Sequence, residues 1–258
     1  MKICWVLFKK EIVESTRNYK VLWMPLVFIL LGIQEPLIAY YLPDILDTLG
    51  DLPEGAVIEI PTPSSEEVLF STINQFNTLG ILIIVLGFMA TIAGERKSRS
   101  AVMVLVKPVS YAAYVLSKWF AALVLVWGSY GIGMLSSWYY INLLFKGIDA
   151  GVFFQSFIIY GLWLTFILTV VVFFSSLVKT SGIAAFAGIT VSVVLSFLAG
   201  SFQETLKWSP SQLANYAYTI MQTNNWTNDM TITVVLTLII AVILISITPT
   251  MLKAKELN

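Results

Sequence analysis

The chain has 258 residues, 58% hydrophobic and only 12% charged, with 15 basic and 15 acidic side chains and no histidine. A soluble domain is roughly a quarter charged, so an ordinary globular protein is excluded, and the missing histidine removes the commonest general base and metal ligand. Cys4 is the single cysteine, which rules out an intrachain disulfide.

The few charges lie outside continuous apolar runs, each close to the ~20 residues that span a bilayer. A membrane β-barrel would instead show alternating strands of about ten residues. The expected fold class is an all-α polytopic membrane protein. One domain, 1–258, carries six transmembrane helices, an amphipathic N-terminal helix and a cytoplasmic coupling segment.

Residues 1–20 alternate charge and bulk, with Trp5, Phe8, Ile12 and Val13 near one helical face and Lys9, Lys10, Glu11, Glu14, Arg17 and Lys20 over much of the rest. This reads as a surface helix leading into the first span, or as a positive end that only fixes topology. Ile3 to Phe8 is too short for the apolar core of a signal peptide, and Lys9-Lys10-Glu11 interrupts it, so a cleavable signal is not expected.

Span one is placed near 21–41 and contains Gln34-Glu35-Pro36. Glu35 falls about 21 Å along the helix from Val21 at 1.5 Å per residue. A carboxylate at membrane depth invites a functional role; a helix that bends or ends at Pro36, leaving Glu35 among outer headgroups, is the reading preferred here. Residues 42–71 read as an extended outer loop whose charges are all acidic.

Span two is placed near 72–93, with Asn74, Gln75, Asn77 and Thr78 at its outer end and Gly80, Gly87 and Gly94 available for close helix contacts. Gly94 to Trp119 follows, with five cations: Arg96, Lys97, Arg99, Lys107 and Lys118. Such a segment cannot cross lipid. Its pattern predicts a short helix over 101–106, a break at Pro108, then an amphipathic surface helix feeding span three. The remaining spans are placed near 120–145, 152–178, 183–199 and 231–247. Between the last two, Gln212 to Gln222 has helical character but is too short to span, and Asn225-Trp226-Thr227 matches a glycosylation sequon weakly.

Of the 15 cations, 13 fall on one proposed side and only Lys146 and Lys207 on the other. The positive-inside rule then puts both termini in the cytoplasm, and a multi-pass chain of this kind is expected in the cell membrane. No phosphate-cradling loop, zinc-protease motif or nucleophile elbow is present. The spans carry almost no ionisable groups, so neither an enzyme nor an ion-coupled carrier is expected.

The charged features are surface-lying, and on them the chain resembles the membrane-spanning permease subunit of ABC-2 type (type V exporter-like) ABC transporters. In that family a loop of the form E-R, small residue, P-V-S-R, K leads into span three. Here Glu95-Arg96, Ser100, Pro108-Val109-Ser110 and Lys118 stand in those places, with Tyr111 for the usual Arg and Ser100 for the usual Gly. The resemblance covers the full length and implies an exporter subunit that is not itself an enzyme. A separate ATPase subunit would bind ATP and Mg, while this chain holds no cofactor. A second permease chain, identical or related, would complete one pathway. Membrane lipid is the other expected partner; nucleic acid is not.

The resemblance places ATPase coupling at Glu14, Glu95, Arg96, Arg99, Pro108, Ser110 and Lys118. Arg96 and Arg99 would pair with partner carboxylates or with Glu14, and Pro108 would set a bend. The substrate pathway is placed near Asn74, Gln75 and Asn77, with a minor share for Glu35. Other readings are a permease for cationic peptide or antibiotic export or immunity, a sodium efflux permease, and a membrane scaffold or sensor without transport.

Overall fold

The computed structural model describes residues 2–49, 63–98, 109–202 and 205–256. Among the described residues the protein is helical, and six helices are long and apolar enough to cross a membrane. In chain order these are α1 (Lys2–Arg17), α2 (Lys20–Leu49), α3 (Ser65–Gln75), a π-helical turn (Phe76–Gly80), α4 (Ile81–Phe88), α5 (Ala93–Lys97), α6 (Tyr111–Leu144), α7 (Ala150–Leu177), α8 (Ser181–Ser201), α9 (Gln212–Thr223) and α10 (Asn228–Glu256). Spans one to six are α2, α3 through α5, α6, α7, α8 and α10.

α7 is the central helix. Phe153, Tyr160, Trp163, Leu164, Ile167 and Val171 along it are all buried, and α4, α6, α8, α9 and α10 pack around it. α2, α8 and α10 lie at the periphery, with most of their side chains left outside the protein core. A helix apolar all round belongs in a core or in lipid, so the outward faces of these three suit lipid or a further apolar chain.

Backbone contact fixes how α2 meets α6. A Cβ on Gly133 would lie 2.6 Å from the Phe28 carbonyl oxygen and 2.9 Å from its carbon, and a Cβ on Gly32 would collide with the Gly133 carbonyl. Two helices can approach this closely only through small residues. Gly80 and Gly87 face side chains of α2 instead, the Phe28 ring and the end of Met24, whereas Gly94 faces only Ala90 one turn earlier. The deep tryptophans find polar partners. Trp163 donates to Asn77 at 2.8 Å and Trp127 to Thr165 at 2.9 Å, as a buried indole N–H requires.

Several boundaries differ from the sequence reading. α2 neither ends nor breaks at Pro36: it continues through Pro36 and Pro43 to Leu49. A proline in a helix removes one donor and bends the axis, but the surrounding chain keeps the helix going. The outer loop is shorter at its far end as well. Ser64 accepts from Glu67 N at 3.2 Å and its own N–H donates to the Glu67 carboxylate at 2.8 Å, a capping box that starts α3 at Ser65. Residues 50–62 lie outside the described part of the chain.

Span two is not one regular helix. The π turn shifts its register at Phe76–Gly80, and residues 89–92 form a turn before α5 resumes. Span three, in contrast, is one unbroken helix from Tyr111, so no separate surface helix covers 111–119. Ser110 caps it by accepting from Ala113 N at 3.2 Å. At 34 residues α6 is about 51 Å long, more than the ~30 Å of bilayer hydrocarbon, so part of the helix must extend beyond it. The helix expected over 101–106 lies outside the described residues.

At the opposite end, α9 packs its Leu213, Ala217 and Ile220 face on α7 and α3. Ser156 donates to the Ala217 carbonyl at 3.0 Å, and Phe70 stacks on Tyr218 at 3.8 Å. α9 is therefore a cover on the bundle. Within the sequon, Thr227 accepts from Met230 N at 3.4 Å at the start of α10, which is a capping role.

Candidate functional site

The charged residues of α1, α5 and α6 converge at one end of the bundle. Lys118, on the third turn of α6, has a side chain only 1% exposed. Its ammonium donates to both oxygens of Glu11 at 2.9 and 3.0 Å and pairs with Glu95 at 2.9 Å. Lys10 repeats the arrangement one residue earlier on α1. It reaches Glu95 at 2.6 Å, Glu11 at 3.0 Å and Glu14 at 3.0 Å. Tyr114, one turn before Lys118 on the same face of α6, donates its hydroxyl to Glu95 at 2.5 Å.

Each ammonium has three protons, and each makes three carboxylate contacts. Burial alone would push the Lys10 ammonium down, but the carboxylates of Glu95, Glu11 and Glu14 outweigh it and hold Lys10 well above its ordinary value. Three carboxylates, Glu11, Glu14 and Glu95, lie within 4.8 Å of one another, close enough to bridge a metal ion. Each of the three already pairs with at least one of the two lysines, and Glu95 also accepts from Tyr114, so the donor set is an ion-pair cluster. A cleft of about 540 Å³ opens beside it, lined also by Ser15, Asn18, Lys20, Phe88 and Thr91.

The other side of α5 is held by hydrogen bonds to the end of α7. Ser175 Oγ accepts from the N–H groups of Ile92 and Ala93 at 3.1 and 3.0 Å and donates to the Met89 carbonyl at 2.8 Å. One hydroxyl thus satisfies the groups freed by the turn at 89–92. Arg96 donates to the Ser176 carbonyl at 2.8 Å, and Lys255 to the Leu177 carbonyl at 2.5 Å. Cations on the last carbonyls of a helix also complement its dipole.

Of the coupling residues expected from sequence, Glu14, Glu95 and Lys118 come together in the cluster. Arg96 does not pair with Glu14; it turns to α7. Ser110 caps α6. Arg99 and Pro108 lie outside the described residues. Sequence reasoning missed Glu11, Lys10 and Tyr114 as cluster members, and Ser175 and Ser176 as the anchor for α5. One signal was available: Glu11 shares a helical face with Leu7 and Phe8, whereas Lys9 does not. The apolar face read for α1 is also split, with Trp5 and Val13 exposed and Phe8 and Ile12 half-buried.

The expected pathway residues are dispersed. Glu35 is half-buried on α2 and, among the described residues, has no hydrogen bond or ion pair. Asn74 is exposed, and Gln75 carries a buried side-chain oxygen without a hydrogen bond. Asn77 accepts from Trp163 and, with Thr78, lines an open groove of about 490 Å³ against Ser192, Ser196 and Phe197 of α8.

Six helices long and apolar enough to cross a membrane, packed around a buried centre, make this a polytopic α-helical membrane protein. No family model matches the chain. It is 34% identical over 221 residues to the uncharacterized transmembrane protein YxlG of Bacillus subtilis (strain 168), a match covering 86% of each chain. The chain belongs to the same family of transmembrane proteins as YxlG.

Proposed function

We propose that this chain is the permease subunit of an ATP-driven ABC exporter of the ABC-2 type. It would work in the cell membrane with both termini in the cytoplasm, with a separate ATPase subunit that binds ATP and Mg, and with a second permease chain. One observation carries this reading: α5, which leads into the expected coupling segment, is clamped to α1 and α6 by Lys10, Glu11, Glu95, Tyr114 and Lys118. A pull on the chain beyond Ser98 reaches α5 first. The cluster passes it to α1 and α6, and Ser175 and Arg96 pass it to α7. A lever of this kind needs rigid attachment to the spans it moves.

The pathway in this reading follows the groove between the π turn and α8, at the interface of two copies. Asn77, Thr78, Ser192 and Ser196 supply its few polar groups, so it suits an apolar or amphipathic substrate. Cross-linking tests the reading: with Cys4→Ser and Ser98→Cys, a thiol-to-amine reagent should join this chain to a co-purifying, ATP-hydrolysing subunit. An intact chain that purifies without such a subunit would favour the scaffold or sensor reading.

A further inference from the structure

We propose that the outward face of α1 is a binding surface for anionic phospholipid headgroups, an inference that does not rest on the ATPase reading. Along α1 the exposed residues are Ile3, Trp5, Val6, Lys9, Lys10, Val13, Thr16 and Arg17. None is acidic. Both glutamates of the helix, Glu11 and Glu14, are drawn into the ion cluster with Lys10. Glu11 is turned toward the protein, Glu14 stands half-exposed beside Lys10, and Lys9 and Arg17 lie outward without an acidic partner among the described residues of the exposed face.

The apolar part of this face is large. Trp5 is 58% exposed, Val6 63%, Ile3 50% and Val13 49%. A contiguous apolar patch of this kind marks an interaction surface. Lys9 sits within it, its ammonium 5.5 Å from the centre of the Trp5 ring. The core of a protein interface is depleted of lysine, whereas an interfacial helix combines Trp and aliphatic groups below with Lys and Arg at headgroup level. Position agrees. After α1 the chain turns once at Asn18–Tyr19, with Tyr19 at φ 56°, and Lys20 already begins the first span. Exposed Tyr19 and Trp23 mark the interface at that junction. A shallow groove of about 430 Å³ along the face is bounded by Val6, Lys9, Lys10, Val13, Glu14 and Arg17. It has an aliphatic floor and a mainly cationic rim, which fits an acyl chain below and a phosphate above.

The test uses the full-length chain with Cys4→Ser and an environment-sensitive fluorophore at Val6→Cys, in lipid nanodiscs. Brominated phosphatidylglycerol should quench the fluorophore more strongly than brominated phosphatidylcholine at equal mole fraction. Lys9→Gln with Arg17→Gln should lower that selectivity by roughly fivefold per cation removed. Both positions are exposed and outside the ion cluster, so folding should survive, and a fluorophore at Leu30→Cys on the outer face of α2 should be quenched equally by both lipids. Equal quenching at Val6 by the two lipids would overturn the assignment. Quenching by neither would place the face in water or against a protein, and would overturn it as well.

Discussion

At the scale of single residues, Lys118 carries the most weight. It is a buried cation whose neutralisation depends on Glu11 and Glu95 together. Removing one member of a buried pair leaves an uncompensated charge and costs about 3–5 kcal/mol. Lys118→Met should therefore lower the thermal midpoint of the detergent-solubilised protein sharply. Adding Glu11→Gln should recover part of the loss, because one of the three carboxylates left to share Lys10 is gone; a double change as costly as the two single changes summed would show that the pair is not coupled. Glu95 and Lys118 were legible in sequence as charges flanking two spans. Their partners were not, because Lys10 and Glu11 are separated from Glu95 and Lys118 by 85 to 107 residues, and no local pattern records such a pairing. Glu14 was preferred to Glu11 for the same reason: the helical face that meets α6 is decided by tertiary packing.

Helices and their crossings make a separate prediction on α6. Gly133 and Gly128 look alike in sequence, two glycines one and a half turns apart. Alanine at Gly128 meets nothing within 4 Å, so it should be neutral or stabilise by up to about 1 kcal/mol through helix propensity. Alanine at Gly133 drives a methyl into the Phe28 backbone and should cost about 1–3 kcal/mol. Thermal unfolding of the two variants side by side checks this, and equal midpoints would mean that α2 and α6 do not cross as described. Apolar length made the spans readable. Their ends were less so, because a proline inside α2 bends a helix that lipid and neighbours still sustain, and because the Ser64–Glu67 capping box is a short signal inside a loop-like stretch. The π turn left no readable pattern.

For the whole molecule, the account requires both ends of the chain and Ser98 on the cytoplasmic side. In intact cells carrying Cys4→Ser, an impermeant thiol reagent should label Gln222→Cys and Asn225→Cys, and should not label Ser98→Cys or Lys255→Cys. Labelling at Ser98 would invert the topology and remove the proposed ATPase from reach. The pathway makes a second demand. Glu35→Gln should leave transport intact, since among the described residues Glu35 has no hydrogen-bond or ion-pair partner to relay a proton. Loss of transport with normal assembly would argue for an ion-coupled carrier instead.

The most direct measurement is ATPase recovery with Glu95→Arg, read beside membrane yield. Glu95 touches Lys10, Lys118 and Tyr114, so the change sets a third cation among two and releases α5 from α1 and α6. Losing these buried contacts within the chain costs about 3–5 kcal/mol of the attachment that holds α5, and in the proposed reading an unclamped α5 no longer presents the coupling segment for capture of the ATPase subunit. Membrane yield should hold, because an added cation on the cation-rich side agrees with the topology rule. The account predicts normal yield with little ATPase recovered and no ATP-dependent transport. Normal recovery with normal transport would contradict it, and would leave the cluster as packing alone.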